Sequence, residues 1–326
     1  MTILVTGVAG FIGSQTAKEL IKQGVKVVGI DNLNDYYDVS LKQTRLDGLG
    51  ANNNFYFECI DVADRKAIKK LISKHNDITA VIHLASQVGV RHSLIDPYKY
   101  TNSNIEGQLV LLENCRKLDR LDHFVYASSS SVYGGNNKLP FSIRDSVDTP
   151  LSVYAASKRA MELLAYSYAN IYAMPVTGLR FFTVYGPWGR PDMAAMIFIR
   201  KILAGNPIPV FNKGNMRRDF TYIDDIVAGI LACLERPPVN AGENLPWRVY
   251  NLGNNRSEPL MRFISVLEDA LGKKAEIDFL PMQTGDVKET YADIIETQRD
   301  LEFDPKTTID IGLPKLVTWY REYYGT

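Results

Sequence analysis

An α/β chain with a doubly wound parallel sheet is predicted by three observations. Short apolar runs alternate with longer amphipathic segments from the first residues onward. The runs are apolar throughout, not at every second residue, and a glycine-rich turn joins the first run to the first amphipathic segment. ILVTG (3–7), KVVGI (26–30), NFYFECID (54–61), TAVIHLA (79–85), DHFVYAS (122–128) and MPVTGLRFF (174–182) are rich in β-branched residues and bounded by turn formers, so each reads as a buried strand. Between them SQTAKELIKQG (14–24), ADRKAIKKLISKH (63–75), EGQLVLLENCRKL (106–118) and SKRAMELLAYSYANIY (157–172) read as helices. Repeated strand, helix, strand implies right-handed crossovers and a parallel sheet.

Beyond about residue 183 loops lengthen, and DFTYIDDIVAGILACLE, RVYNLG and PLMRFISVLEDALG mix returning strands with short helices. This predicts a smaller, interwoven C-terminal α/β lobe over 183–326, with the main domain at 1–182 and some later segments returning to it. The last helix candidate, GLPKLVTWYREYY (312–324), carries enough aromatic residues to dock.

The 326 residues are 46% hydrophobic, enough for a large core. Lys plus Arg and Asp plus Glu both number 37, and the resulting zero net charge argues against binding driven by nucleic-acid phosphates. No apolar run approaches the roughly 18–20 residues of a membrane span, and MTILVTG enters a strand without a leader pattern, so a cytoplasmic protein is expected. Cys59, Cys115 and Cys233 suit neither a disulfide framework nor a zinc pattern and read as small buried residues. The four histidines have no metal-ligand spacing, and no metal is expected.

In TGVAGFIGS the glycines Gly7, Gly10 and Gly13 lie between strand and helix. Such a turn lets the backbone approach a pyrophosphate, with the helix amides pointing at the anion, as in a Rossmann-type dinucleotide site. Asp31 closes the second strand, where a carboxylate accepts the adenosine ribose hydroxyls and repels a 2′-phosphate, favouring NAD over NADP. The competing reading for Asp31 is a turn residue. Asp61 closes the third strand and either reaches the adenine or caps the strand end.

Tyr154 and Lys158, in YAASK, share one helix face. A tyrosine acting as base at neutral pH must lose about three from its pKa, or roughly 4 kcal/mol. A cation about 4 Å away contributes on the order of 4 kcal/mol at an effective dielectric of 20, so Lys158 is expected to help supply the shift. Upstream, YASSSSVYG (126–134) offers hydroxyls and no acid.

Glycine turn, serine-rich strand end and Tyr–Lys pair together resemble the extended short-chain dehydrogenase/reductases, and more closely the nucleotide-sugar 4-epimerases. The resemblance implies a catalytic Ser129, four residues before Tyr133, acting with Tyr154 and Lys158. Ser130 and Ser131 then face the substrate or support the strand end. Related dehydratases and decarboxylases carry acids where this chain has serine and valine. Serine is too weak an acid to expel a group, so simple oxidation and reduction remain. The resemblance further implies that NAD meets Gly7, Gly10, Phe11, Ile12, Gly13, Asp31, Asn32, Asp61, Val62, Leu84, Ala85, Ser86, Asn104 and Phe181 as well as Tyr154 and Lys158.

LRFFTVYGPWGRPDM (179–193) and DNLNDYYDVSLKQTRL (31–46) resemble the UDP-glucuronate 4-epimerases, in which a threonine and an arginine, here Thr183 and Arg190, hold the sugar's carboxylate. Arginine suits this by bidentate geometry. A loop salt bridge is the competing reading for Arg190. Gln87, Arg91, Val210, Phe211, Arg218 and Asp286 are implied at the UDP-sugar, with the base against Phe211. An arginine expected at 283 is Gln283, which leaves the diphosphate site differently built. A neutral-hexose epimerase, a decarboxylase and a regulatory protein on the same fold are the alternatives; retention of Tyr154 and Lys158 speaks against the last. A homodimer through the helices at 106–118 and 157–172 is implied as well.

Overall fold

β1 (Thr2–Thr6) buries all five residues, Ile3 and Val5 on one face and Leu4 on the other. A strand sealed on both sides needs helices on both sides, and the computed structural model, which describes residues 1–50, 52–240, 245–283 and 285–326, has them. β2 (Lys26–Asp31), β3 (Phe55–Cys59), β4 (Ile78–His83), β5 (His123–Ser129) and β6 (Val176–Phe181) follow, so each of the six runs read as strands forms one. Next come β7 (Thr183–Tyr185), β8 (Ile208–Phe211), β9 (Arg217–Tyr222), β10 (Trp247–Leu252), β11 (Ser257–Pro259) and β12 (Ile277–Leu280). The large sheet has the order β10-β6-β5-β4-β1-β2-β3, parallel throughout. Its direction of progression reverses between β1 and β4, which opens a crevice beyond their carboxyl ends.

The helices are α1 (Phe11–Lys22), α2 (Val39–Gly50), α3 (Arg65–Lys74), α4 (Pro97–Tyr100), α5 (Gly107–Cys115), α6 (Val153–Tyr172), α7 (Ala194–Ala204), α8 (Ile223–Leu234), α9 (Leu260–Leu271), α10 (Ile295–Leu301) and α11 (Ile309–Tyr324). Leu20 of α1, Leu46 of α2 and Ile230 of α8 share one core with Ile3 and Val5. Ile68 of α3, Leu111 of α5 and Met161 of α6 share the other with Leu4 and Phe124. α3 starts where Asp64 accepts from the amides of Lys66 and Ala67, and α6 where Ser152 accepts from Ala155. α2 is absent from the sequence reading for a physical reason. Its buried side carries Lys42 and Arg45 among Leu41, Leu46 and Leu49, which breaks the apolar period.

The chain after β6 returns to the large sheet, since β10, from the RVYNLG stretch, pairs with β6. β7, β9 and β11 form a three-stranded sheet, and β8 and β12 pair in parallel. Cys115 and Cys233 are buried, but Cys59 is exposed, against expectation, because it ends β3 at the sheet's edge. Among the described residues no helix is long and apolar enough to cross a membrane.

His123 gives the fold a pH signature. It is buried between the Thr177 hydroxyl at 2.8 Å and the Leu234 carbonyl at 3.2 Å, and burial pushes its pKa down to about 4. Between the ordinary 6.5 and about 4 the unfolded chain binds a proton that the folded chain refuses, so stability falls as pH drops through that window. The loss is roughly 1.4 kcal/mol per pH unit. His123→Gln should therefore flatten the pH dependence of Tm in that range, as measured by thermal melts at stepped pH; an unchanged slope would refute the assignment.

Candidate active site

The crevice is walled by the carboxyl ends of the strands. Gly7 follows β1, Asp31 ends β2, Leu84 follows β4, Ser129 ends β5 and Phe181 ends β6, and all line it. The glycines are there for space. Gly7 has φ +70°, and a Cβ on it would lie 2.7 Å from the Ala85 amide nitrogen; a Cβ on Gly13 would land on the Gly7 carbonyl. α1 begins at Phe11 without a side-chain cap and without an acid in its first turn, so its positive end is open to an anion. Asp31 accepts from Leu33 N at 2.9 Å and Ala9 N at 3.1 Å, which fixes the carboxylate in the wall. Burial raises its pKa, and these amides with Lys42 and Arg45 oppose the rise. A tight glycine cradle, free helix amides and a fixed carboxylate together fit a dinucleotide with an unmodified ribose.

Ser129, Tyr154 and Lys158 meet in the same wall. Burial raises the Tyr154 pKa, and the Ser129 hydroxyl and the Arg190 charge pull it back. Arg190 is thus a further cation bearing on the phenol, beside the Lys158 and nicotinamide expected from the sequence. Lys158 is 1% exposed and donates to the Ala127 carbonyl at 2.8 Å. Burial lowers its pKa to about 7, with Glu162 opposing. Neighbouring His83, at the end of β4, is held neutral, its pKa pushed down to about 3 by burial and by Lys158. Ser131 donates its amide to Ser129 Oγ at 3.2 Å, and Ser130–Tyr133 form one short 3₁₀ turn directly after the strand.

Glu162, one turn beyond Lys158, is fully buried. It accepts from Arg180 Nε at 2.8 Å and Nη2 at 2.9 Å, from Ser128 Oγ at 2.6 Å and from Arg159 at 3.1 Å. Arg180 also reaches the Tyr133 hydroxyl at 3.0 Å, which donates to Asn251 at 2.6 Å. Sequence reasoning missed this network; the signal was a lone arginine in the apolar run LRFF.

Asn32, Ile12, Val62, Ala85, Ser86 and Gln87 line the crevice with Gly10 and Phe11. Asn104 and Asp61 do not. Asn104 is buried in a π-helical stretch, Thr101–Glu106, where it pairs with the Gln87 backbone and Ser157. The Asp61 carboxylate is taken by Asn32 at 2.8 Å and the Ala63 amide at 2.8 Å, the strand-end cap that was its competing reading. Thr183 opens β7 and lines a small side pocket with Phe11 and Met193. Arg91, Phe211, Arg218 and Asp286 gather apart from this wall. The Arg91 guanidinium sits over the Phe211 ring at 4.7 Å and contacts Asp286 at 3.3 Å, and Asp286 also bears electrostatically on Arg218. Val210 is buried in β8. Gln283 is described, but Thr284, which opens the TGDVKETYAD stretch, lies outside the described residues. The sequence reading missed Tyr36, Tyr37 and Lys42 in the wall. They belong to DNLNDYYDVSLKQTRL, whose resemblance was noted without assigning these side chains. No group of three or more potential metal ligands occurs among the described residues.

A glycine cradle where the sheet order reverses, beside a tyrosine and a lysine one helical turn apart, defines a short-chain dehydrogenase/reductase of the extended kind. The chain belongs to the NAD dependent epimerase/dehydratase family, which it matches over residues 3–253. It is 46% identical over 335 aligned positions to UDP-glucuronate 4-epimerase 4 of Arabidopsis thaliana, covering 100% of this chain and 76% of that one. Its fold matches that of UDP-glucuronic acid 4-epimerase from Bacillus cereus in complex with UDP-glucuronic acid and NAD, with a TM-score of 0.89 at 37% identity over 99% of this chain and 100% of that one. UDP-glucose 4-epimerase from Thermotoga maritima, with UDP-glucose, matches with a TM-score of 0.88 at 30% identity over 99% and 100% of the two chains.

Gly13→Ala must displace the Gly7 carbonyl, and it is expected to lower Tm and to abolish retention of dinucleotide through purification at temperatures where the variant is still folded. The nucleotide released on denaturing the protein measures this; wild-type retention by the variant would show that the cradle is not the anion seat.

Proposed function

We propose that the chain is a 4-epimerase that interconverts UDP-glucuronate and UDP-galacturonate. The observation that carries this reading is the composition of the wall. Ser129, Tyr154 and Lys158 stand with Arg190 in one crevice, and the one carboxylate lining it among the described residues is Asp31, at the end of β2, three strands from Ser129. Without a carboxylic acid beside Ser129 and Tyr154, and with nearby Asp192 held ionised on Arg190, expulsion of a hydroxyl has no carboxylic acid donor, and reversible oxidation is the chemistry left.

Gly7, Gly10 and Gly13 with the start of α1 would seat the diphosphate of NAD, and Asp31 its adenosine ribose; the group would supply a reversible hydride acceptor for the sugar's C4. Tyr154 removes the C4 hydroxyl proton and later restores it, with Ser129 sharing the hydrogen bond. Arg190 lowers the phenol's pKa and grips the substrate's carboxylate. Lys158 braces the tyrosine's surroundings from the Ala127 carbonyl. Arg91, Phe211, Arg218 and Asp286 hold the nucleotide while the 4-keto sugar turns over about its link to the diphosphate. The division at 182/183 into a dinucleotide part and a substrate lobe belongs to the same reading.

A neutral UDP-hexose epimerase is the second reading. It is favoured by one observation, that Arg190 already has a carboxylate partner in Asp192. A cytoplasmic homodimer is also proposed. Leu163, Tyr166, Ile171 and Tyr172 of α6 are exposed, an apolar surface suited to a second copy.

NMR of the product formed from UDP-glucuronate by purified protein, without added NAD, should show UDP-galacturonate; turnover of UDP-glucose alone would select the neutral-sugar reading. Arg190→Ala should lose most uronate turnover and leak a UDP-pentose. In that leak the bond from C5 to the carboxyl carbon breaks and CO2 leaves. The electron pair enters the C4 carbonyl as an enolate, which takes a solvent proton at C5, and return of the hydride earlier removed from C4 reduces the resulting 4-keto pentose to the UDP-pentose. An Arg190→Ala enzyme with unchanged rate and a single product would remove Arg190 from the site.

A further inference from the structure

Arg190 does form the loop salt bridge that competed with its role at the sugar. Nε donates to one oxygen of Asp192 at 3.0 Å and Nη2 to the other at 2.6 Å. The Tyr36 hydroxyl donates to the same carboxylate at 3.3 Å. Tyr36 and Arg190 both line the crevice that holds Tyr154. Burial alone would raise the Asp192 pKa, but Arg190 and Tyr36 hold it below the usual carboxylate range, so Asp192 is a true anion.

A guanidinium carries five N–H groups, and this clamp uses two. Nη1 makes no hydrogen bond among the described residues. The Nη1–Nη2 edge is therefore a second fork, of the width that takes a carboxylate in bidentate fashion. Asp192 occupies the Nε side and leaves that edge open. The clamp is built from three loops. Tyr36 comes from the β2–α2 loop, Asp192 from the loop after β7, and Gly89 from the loop after β4 makes room for Tyr36, because a Cβ on Gly89 would lie 2.7 Å from the Tyr36 hydroxyl. The Tyr36 ring is also held edge-on against His92 at 5.0 Å.

We infer that Asp192 is a specificity-determining positioning residue. It fixes the Nε side of Arg190 so that the Nη1–Nη2 edge is presented to the crevice as the seat of a hexuronate carboxylate. Pairing also offsets part of the arginine's field while leaving it charged. A bare guanidinium attracts any anion, the sugar's own diphosphate included, whereas the paired one offers two directed donors and selects by shape. The salt bridge and the sugar grip are thus two edges of one side chain, not rival roles. This inference rests on the uronate 4-epimerase reading and refines it.

The test is Asp192→Asn, which keeps the shape but turns one acceptor into a donor facing an N–H, together with Tyr36→Phe, which loosens Asp192 without touching Arg190. With UDP-glucuronate, Asp192→Asn should raise KM about tenfold with a smaller fall in kcat. UDP-pentose should appear beside the epimer. UDP affinity and retained NAD should match wild type, which reports an intact fold and nucleotide end. Tyr36→Phe should move KM and product ratio in the same direction by less. Wild-type KM and product ratio in Asp192→Asn would overturn the inference while leaving the function standing. Should Asp192→Asn lose its NAD, Tyr36→Phe decides, and wild-type behaviour there overturns it. A wild-type protein inert towards UDP-glucuronate would overturn the functional reading itself and the inference with it.

Discussion

The buried ion pair of Glu162 and Arg180 is the contact on which the catalytic geometry hangs. Removing both charges from water is expensive, and their attraction alone need not repay it. The arrangement is tolerable because both carboxylate oxygens are saturated, by Arg180, Ser128 and Arg159, and because Arg180 has Tyr133 as a further acceptor. What it supplies is registry. Glu162 lies on α6 one turn from Lys158, Ser128 immediately precedes Ser129 on β5, and Arg180 sits on β6 just before the segment that reaches Thr183 and Arg190. Tyr133 extends the same network to Asn251 on β10. The groups proposed to move the proton are thus held through neighbours that never meet the sugar.

Arg190 and Lys158 divide the cationic work differently from the simplest electrostatic picture. Lys158 is spent on a backbone carbonyl deep in the wall, where burial has brought its pKa to about 7. Arg190 keeps its charge under any ordinary condition, and it is the cation that opposes burial at the Tyr154 phenol. One guanidinium therefore bears on the phenol oxygen and is also the group proposed to read the sugar.

Much of the fold was legible because its signals are local. A strand buried on both faces is a continuous apolar run, the turn after β1 needs glycine whatever surrounds it, and Tyr154 and Lys158 face the same way by helical period alone. The failures share a cause, which is distance along the chain. α2 was missed because Lys42 and Arg45 point inward, and that is sensible only once Asn34, Ala9 and Trp188 are in place. Arg180 looked like an interruption until Glu162 was brought beside it. Asp61 and Asn104, expected at the cofactor, also bond nearby amides and amide side chains, contacts that no local pattern announces. Asp192, two residues from Arg190, was in plain sight, yet its meaning depends on how a five-donor group is shared.

Arg45 has a consequence of its own. Its guanidinium donates to the Ala9 carbonyl in the glycine turn at 2.9 Å, to Tyr37 at 2.7 Å and to the Trp188 carbonyl at 2.5 Å, across 143 residues of sequence. Trp188 is held in a left-handed conformation at φ +66°, which a bulky residue adopts only under restraint. The glycine turn after β1 and the loop that carries Arg190 are therefore pinned together by one side chain. One side chain from α2 thus fixes the spacing between two loops that the sequence keeps far apart.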